Sequence, residues 1–261
     1  MQKQSGMQFL AVAMIRSARA LAGSALRALY PPHCLTCDTL IEEQGALCPG
    51  CWRQTPFIFG LCCDLCGLPL PGQDGPGAAA IICDECMTIA RPWEQGRAAM
   101  LYDDRARQIL LGLKYRDRLD MVPPAAKWLA RTARPLVLPD MLVAPIPLHW
   151  LRLLKRRYNQ AALLSHALAR ETGLAHCPDL LTRIRNTGSQ DGRGRDERFA
   201  NLQGSIRPHP RRADLIRNRH ILLVDDVMTV GATFAAATEA CLAHGAASVR
   251  VIALARVASR G

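Results

Sequence analysis

Residues His220 to Ala235, HILLVDDVMTVGATFA, constrain the fold more than any other stretch of the chain. Ile221 to Val224 is an unbroken apolar run, suited to a strand covered on both faces of a parallel sheet. Asp225 and Asp226 follow it. Val227–Gly231 then reads as a loop and Ala232–His244 as an alanine-rich helix of high intrinsic propensity, with Gly245 suited to close it. Ser248–Leu254 reads as the next strand. Strand, loop, helix and strand make a βαβ unit, so the chain belongs to the α/β class. Ligands of such folds bind at the carboxyl ends of the strands.

The residues at that strand end carry recognisable chemistry. Met228, Thr229, Val230, Gly231, Ala232 and Thr233 lie where a helix begins, so backbone N–H groups and two hydroxyls can cradle a phosphate. Asp225 and Asp226 can accept hydrogen bonds from neighbouring hydroxyls or hold a magnesium ion through water. A phosphate beside a vicinal diol is a ribose 5-phosphate. Three rival readings fail on sequence. A P-loop requires a Gly-Lys pair, and the chain has none. A dinucleotide fingerprint is completed neither by Gly75 and Gly77 nor by Gly192 and Gly194. A receiver domain requires a later phospho-accepting Asp, and none follows Asp226.

The cysteines define a second chemistry. Nine of the 11 lie between Cys34 and Cys86. Cys34 and Cys37 form one two-residue-spaced knuckle, Cys48 and Cys51 the next. Cys63 with Cys66 and Cys83 with Cys86 repeat the pattern. Each knuckle puts two thiolates on one tight turn, and two knuckles close a tetrahedral zinc site, so the spacing predicts two structural Zn²⁺. A disulfide scaffold is disfavoured because the rest of the chain reads as a cytosolic enzyme, whose thiols stay reduced. Cys62 competes with Cys63 as a ligand, but breaks the spacing.

Phe9–Leu29 reads as an amphipathic helix ended by Pro31 and Pro32, and no apolar run approaches membrane-spanning length. The organisation expected is thus an N-terminal helix over 1–30, a double ribbon over 31–92 and a nucleotide-handling domain over 93–261. The formal net charge is +11, and its excess lies beyond residue 99, which suits phosphate-rich ligands or nucleic acid. Helices are expected over Tyr102–Leu113, Met121–Ala133 and Ala161–Thr172, and a short strand over Leu142–Ile146. The basic run Arg152 to Arg157 precedes a helix N-terminus, so it reads as a second anion site suited to a diphosphate, or as a solvated basic face. The polar segment after Ile184 reads as a mobile loop; residues 183–219 hold ten arginines. That loop is suited to close over a reaction, or to track a nucleic-acid backbone.

Asp225 to Thr233 resembles the ribose-phosphate motif of type I phosphoribosyltransferases. With the cysteine knuckles, Leu113-Lys114-Tyr115, Pro145-Ile146-Pro147, Arg157-Tyr158-Asn159-Gln160, Arg185-x-Thr187-x2-Gln190 and Arg198-x2-Asn201, the chain resembles the ComF family. These are amidophosphoribosyltransferase-like proteins linked to DNA uptake in competent bacteria. The resemblance implies a type I phosphoribosyltransferase-like parallel sheet flanked by helices, behind an N-terminal double zinc ribbon. It also implies 5-phosphoribosyl 1-diphosphate as substrate with Mg²⁺, Asp225 and Asp226 as the catalytic pair, and Lys114, Arg156 and Arg157 on the diphosphate. Gln190, Arg195 and Arg198 would lie in the mobile loop. Single-stranded DNA and DNA-uptake proteins are the implied partners, and the cytoplasm the location. Two positions depart from the family pattern: Arg157 stands where a glycine is usual, and Val230 where a second threonine is usual.

Overall fold

A computed structural model describes residues 30–72, 80–115, 117–187 and 194–258. The expected N-terminal helix and Gln190 lie outside the described residues, as does the side chain of Arg195. The chain divides into two compact units, Met1–Trp52 and Arg53–Gly261. No helix among the described residues is long and apolar enough to cross a membrane.

The first unit is organised by its knuckles. His33 and Leu40 form an antiparallel bridge around Cys34 and Cys37. The Cys34 N–H donates to Thr39 O at 2.8 Å and the Leu35 N–H to Ala46 O at 3.2 Å. Cys51 is carried on the short helix α1 (Pro49–Gln54), which puts it one turn from Cys48.

The second unit begins with a knuckle of the same design. Cys62 and Pro69 form the bridge, and the Cys63 N–H donates to Leu68 O at 2.8 Å. Cys86 sits on helix α2 (Asp84–Thr88). The chain then enters a five-stranded parallel sheet. Its strands are β1 (Gln95–Leu101), β2 (Leu142–Pro145), β3 (Ala175–His176), β6 (His220–Met228) and β7 (Ser248–Arg256), in the order β1-β7-β6-β2-β3. Strands β4 (Leu181–Arg183) and β5 (Ile206–Pro208) pair antiparallel in a separate ribbon. Leu181–Arg183 is thus a strand outside the main sheet.

Helices cover both faces. On one side α4 (Val122–Ala133) packs on β1 and β7, and α6 (Gln160–Thr172) packs on β2 and β6. On the other side lies α8 (Ala232–Leu242), in contact with α7 (Arg195–Leu202). This double cover explains the unbroken apolar run: Ile221, Leu222, Leu223 and Val224 are all fully buried. Gly245 takes the left-handed conformation just past α8, as its position suggests.

The second ribbon shares this core. Cys63, Cys66, Cys83, Cys86 and Trp93 belong to the same buried cluster as Leu223, Phe234 and Val251. The Trp93 ring meets Phe234 edge-on at 6.2 Å, and its Nε1–H donates to Leu65 O at 2.6 Å. The ribbon lies directly on β1. A Cβ at Gly96 would fall 2.3 Å from Leu65 O, so only glycine fits there.

Candidate functional site

The site forms where the β2–β6 pairing stops. Pairing between these strands ends at Pro145 opposite Val224, and the last bond runs from the Ile146 N–H to Val224 O at 2.9 Å. Pro147 has no N–H with which to continue the ladder. β6 itself does not stop there. It stays paired with β7 as far as Met228 opposite Arg256, so the strand carries both acids and also Val227 and Met228, which the sequence reading assigned to the loop. β2 leads on to β3 in one direction and β6 to β7 in the other. Their carboxyl ends therefore open a crevice of the kind that holds ligands in parallel sheets.

Asp226 is 9% exposed, and its Oδ2 lies 2.7 Å from Lys114 Nζ. Its N–H turns to Asp225 Oδ1 at 2.8 Å. Burial, together with the neighbouring Asp226 charge, pushes the Asp225 carboxyl up to about 7. Lys114 comes from the last turn of α3 (Asp104–Tyr115). Tyr158 holds that turn in place by donating from its hydroxyl to Leu113 O at 2.8 Å. Asn159 caps α6 by accepting from the Ala161 N–H at 3.1 Å, and it donates to Ile146 O at 3.0 Å. The Tyr158-Asn159 pair therefore ties α3, the proline-rich end of β2 and α6 into one wall.

The loop after β6 is short. Gly231, at φ +81°, leads into α8, whose first N–H groups have no acceptor within the helix. A small cleft at this helix start is lined by Val227 to Phe234 together with Arg198 and Leu202. Met228 and Ala232 are buried, Thr229 is exposed and Thr233 is half-buried. Arg198 of α7 thus lies beside the loop. In the same region Asn201 donates to Thr187 O at 2.9 Å, and Arg183 donates to Thr187 Oγ1 at 2.9 Å.

The basic run occupies the short helix α5 (Trp150–Arg156). Arg156 is half-buried. Arg157 is turned out to solvent, 3.8 Å from an exposed Asp117, with its backbone at φ +64°. The left-handed conformation explains why a glycine suits this position. Lys114, placed by sequence on a diphosphate, is paired with Asp226.

Both cysteine sets fit zinc. Within each, the four sulfurs lie within 4.8 Å of one another. Cys37 and Cys48, and likewise Cys66 and Cys83, are 3.7 Å apart, close to the edge of a tetrahedron with bonds of about 2.3 Å. Backbone N–H groups of Cys48 and Cys83 point at Cys34 Sγ and Cys63 Sγ, as thiolate acceptors require. Hydrogen bonds from Cys66 and Cys86 push the Cys63 thiol down, and the same cluster pushes Cys66 up. Four sulfurs this close resist carrying four negative charges unless a cation joins them. Cys63, and not Cys62, belongs to the second set.

Sequence reasoning missed three residues beside the loop: Arg91 and Arg256, which donate to its carbonyls, and Glu85, which pairs with both. Arg256 ends the apolar strand β7 at 1% exposure, a buried cation that needs an acidic partner in the core.

Fold and site together define an α/β protein with an acidic crevice beside a helix-start loop, and with two four-cysteine zinc sites. A family model described as a double zinc ribbon domain matches residues 25–95. DNA utilization protein YhgH of Salmonella typhi is 30% identical over 234 residues, covering 87% of this chain and 97% of that protein. Competence protein F of Haemophilus influenzae is 26% identical over 232 residues, covering 86% and 96%. Competence protein ComFC of Bacillus subtilis is 29% identical over 241 residues, covering 85% and 94%. The chain belongs to the ComF family of these DNA utilization and competence proteins. Among solved structures, glutamine phosphoribosylpyrophosphate amidotransferase from B. subtilis aligns over 55% of this chain and 30% of its own, with TM-score 0.37 and 15% identity, too distant a likeness to argue from.

Proposed function

We propose that the chain binds 5-phosphoribosyl 1-diphosphate with Mg²⁺ and transfers its phosphoribosyl group to a nucleophile. The observation that carries this reading is the sequence of groups along β6 and into α8: two adjacent carboxylates, then a loop opening onto a helix N-terminus. The 5-phosphate would lie on the N–H groups of Gly231 to Thr233 and the Thr229 and Thr233 hydroxyls. Asp225 and Asp226 would accept from the ribose hydroxyls and stabilise positive charge developing at the anomeric carbon. In the transfer, the bond from that carbon to diphosphate oxygen breaks, its electron pair leaves with diphosphate, and the nucleophile's lone pair forms the new bond. Arg156 would bear on the departing charge, and Arg198, beside the loop, on the 5-phosphate. Mg²⁺ bound with the diphosphate would supply further neutralisation. Calorimetry with the diphosphate substrate and Mg²⁺ tests binding, and diphosphate release across a panel of nitrogen bases tests transfer. No binding at millimolar substrate rejects the reading.

A second reading is favoured by the names of the relatives, which refer to DNA utilization and competence. In it the crevice serves as a sensor, and basic residues bind single-stranded DNA. Arg211 and Arg212 are exposed, though Arg212 is engaged with Asp179 at 3.1 Å. DNA affinity that falls steeply with salt, in a protein releasing no diphosphate, supports it.

A further inference from the structure

The loop after β6 has a second neighbour besides the crevice. The Arg91 side chain is fully buried, and its guanidinium reaches three groups. Nε lies 3.5 Å from Cys86 Sγ, one Nη lies 3.1 Å from Glu85 Oε1, and the other donates to Val230 O. Arg256 repeats the arrangement from the end of β7. One of its Nη atoms lies 2.7 Å from Glu85 Oε2 and the other donates to Thr229 O at 2.5 Å. The two oxygens of Glu85 thus hold one guanidinium each, and each guanidinium holds one of two successive loop carbonyls. Glu85 lies on α2, between the zinc-site residues Cys83 and Cys86.

Charge makes this clamp depend on the metal centre. Two buried guanidinium groups face one carboxylate, which leaves an unbalanced positive charge. A zinc ion held by four thiolates carries a net charge of about −2 and supplies the missing partner, with Arg91 as its hydrogen-bond donor. Without the centre, two arginines share one acid in the core. Sterics add to the dependence: a Cβ at Gly231 would meet Arg91 Nη1 at 2.7 Å and the Trp93 ring at 3.0 Å, so the loop lies directly against the clamp.

We propose that Glu85, Arg91 and Arg256 are positioning residues that couple the second zinc centre to the phosphate loop, so that the loop is held in its ligand-binding shape only while Cys63, Cys66, Cys83 and Cys86 hold metal. The coupling to ligand rests on the reading of this loop as a phosphate site. By reciprocity, ligand in the loop strengthens retention of the second zinc.

The test uses the full zinc-loaded chain and two variants, Glu85→Gln and Arg91→Lys, with zinc content measured on each. Hydrogen exchange reports the loop without any ligand. In a variant that retains its zinc, the two amides that close the ends of the loop, Val257 (to Met228 O, 2.9 Å) and Ala235 (to Gly231 O, 2.9 Å), exchange about tenfold faster, the equivalent of one charge-assisted hydrogen bond lost, while Leu142–Pro145 is unchanged. Calorimetry with ribose 5-phosphate as probe finds binding weakened about tenfold in the same variants. In the unmutated chain, the same probe slows chelator-driven loss of the slower-released zinc. Should Glu85→Gln lose the second zinc, Arg91→Lys carries the test, because it keeps the charge beside Cys86 but not the three-way fork. Unchanged exchange at Val257 and Ala235 in a zinc-loaded variant overturns the proposal. Absence of ribose 5-phosphate binding by the unmutated chain rejects the phosphate reading instead, and the exchange result still decides the coupling.

Discussion

Lys114 Nζ lies 2.7 Å from Asp226 Oδ2, so the last turn of α3 and the carboxyl half of β6 meet through one ion pair at the mouth of the crevice. Both side chains are mostly buried, which makes the pair stronger than a surface one and costlier to break from one side. Asp226→Asn keeps the shape and removes the charge that orders hydroxyls. It should weaken binding of 5-phosphoribosyl 1-diphosphate ~10- to 100-fold, the worth of one charge-assisted hydrogen bond of about 1.5–3 kcal/mol. Lys114→Met should cost stability as well, about 1–3 kcal/mol in urea unfolding, because it leaves the carboxylate without its cation. Equal affinity in Asp226→Asn places the ligand elsewhere.

Asp225 gives a dependence on pH. Its folded pKa, raised to about 7, lies above the ordinary carboxylate value, so between those two values the folded state holds more protons than the unfolded one. Stability from this group therefore falls as pH rises from about 4 to about 7 and is lowest above that window. Asp225→Asn should melt higher than the unmutated protein at pH 8, and the difference should shrink towards pH 4. In the same titration, any cation or hydroxyl ligand that needs the carboxylate should bind more tightly above pH 7. A melting difference that grows on acidification contradicts the assignment.

The two zinc sites should release metal at different rates. Cys37 is exposed and Cys48 half-buried in the first set, whereas all four cysteines of the second are buried in the core. A chelator with a colorimetric readout should remove one zinc equivalent quickly and the second slowly. Cys37→Ser should abolish the fast phase and leave Arg53–Gly261 folded. Cys66→Ser should destabilise that whole unit, because its site lies among Trp93, Phe234 and Leu223. A single phase of two equivalents counts against the difference.

Arg157 holds a left-handed backbone at φ +64° with an exposed side chain. Arg157→Gly removes a Cβ penalty of about 1–2 kcal/mol and adds a smaller entropic cost in the unfolded chain. The substitution should therefore raise stability by about 0.5 kcal/mol. A loss of that size in denaturant titration shows that the side chain contributes more than its exposure suggests.

These positions also mark how far the sequence was readable. Local pattern sufficed for Ile221–Val224, for the helices of regular apolar period and for the eight zinc-site cysteines, because spacing alone dictates their partners. It did not give β1, Gln95–Leu101, whose strand character comes from pairing with β7 more than 150 residues later. Nor did it give the reach of β6 beyond Val224, which is set by which neighbour runs out of N–H donors first. The acids and the loop were legible as a unit. Lys114 was read from sequence as a diphosphate ligand, and its pairing with Asp226 was not legible. Glu85, Arg91 and Arg256 were not legible, because a buried ion network is written only in three dimensions.

Gly231 lies on the loop that Arg91 and Arg256 hold. From sequence its value is the close backbone approach it offers a phosphate. The structure adds a second reason: at φ +81° the Cβ of any other residue would strike Arg91 Nη1 at 2.7 Å and Trp93 at 3.0 Å. Gly231→Ala should then cost about 2–3 kcal/mol, from the left-handed backbone and the clash together. Only the clash depends on Arg91. Arg91→Ala should be destabilising alone, because it leaves Glu85 and Val230 O short of a donor. Yet the double variant should be less destabilised than the sum of the two by about 1 kcal/mol, since the truncated arginine gives the new methyl room. Urea unfolding of all four proteins measures that difference. Strict additivity means that the methyl does not meet Arg91, and that the glycine serves the ligand side of the loop alone.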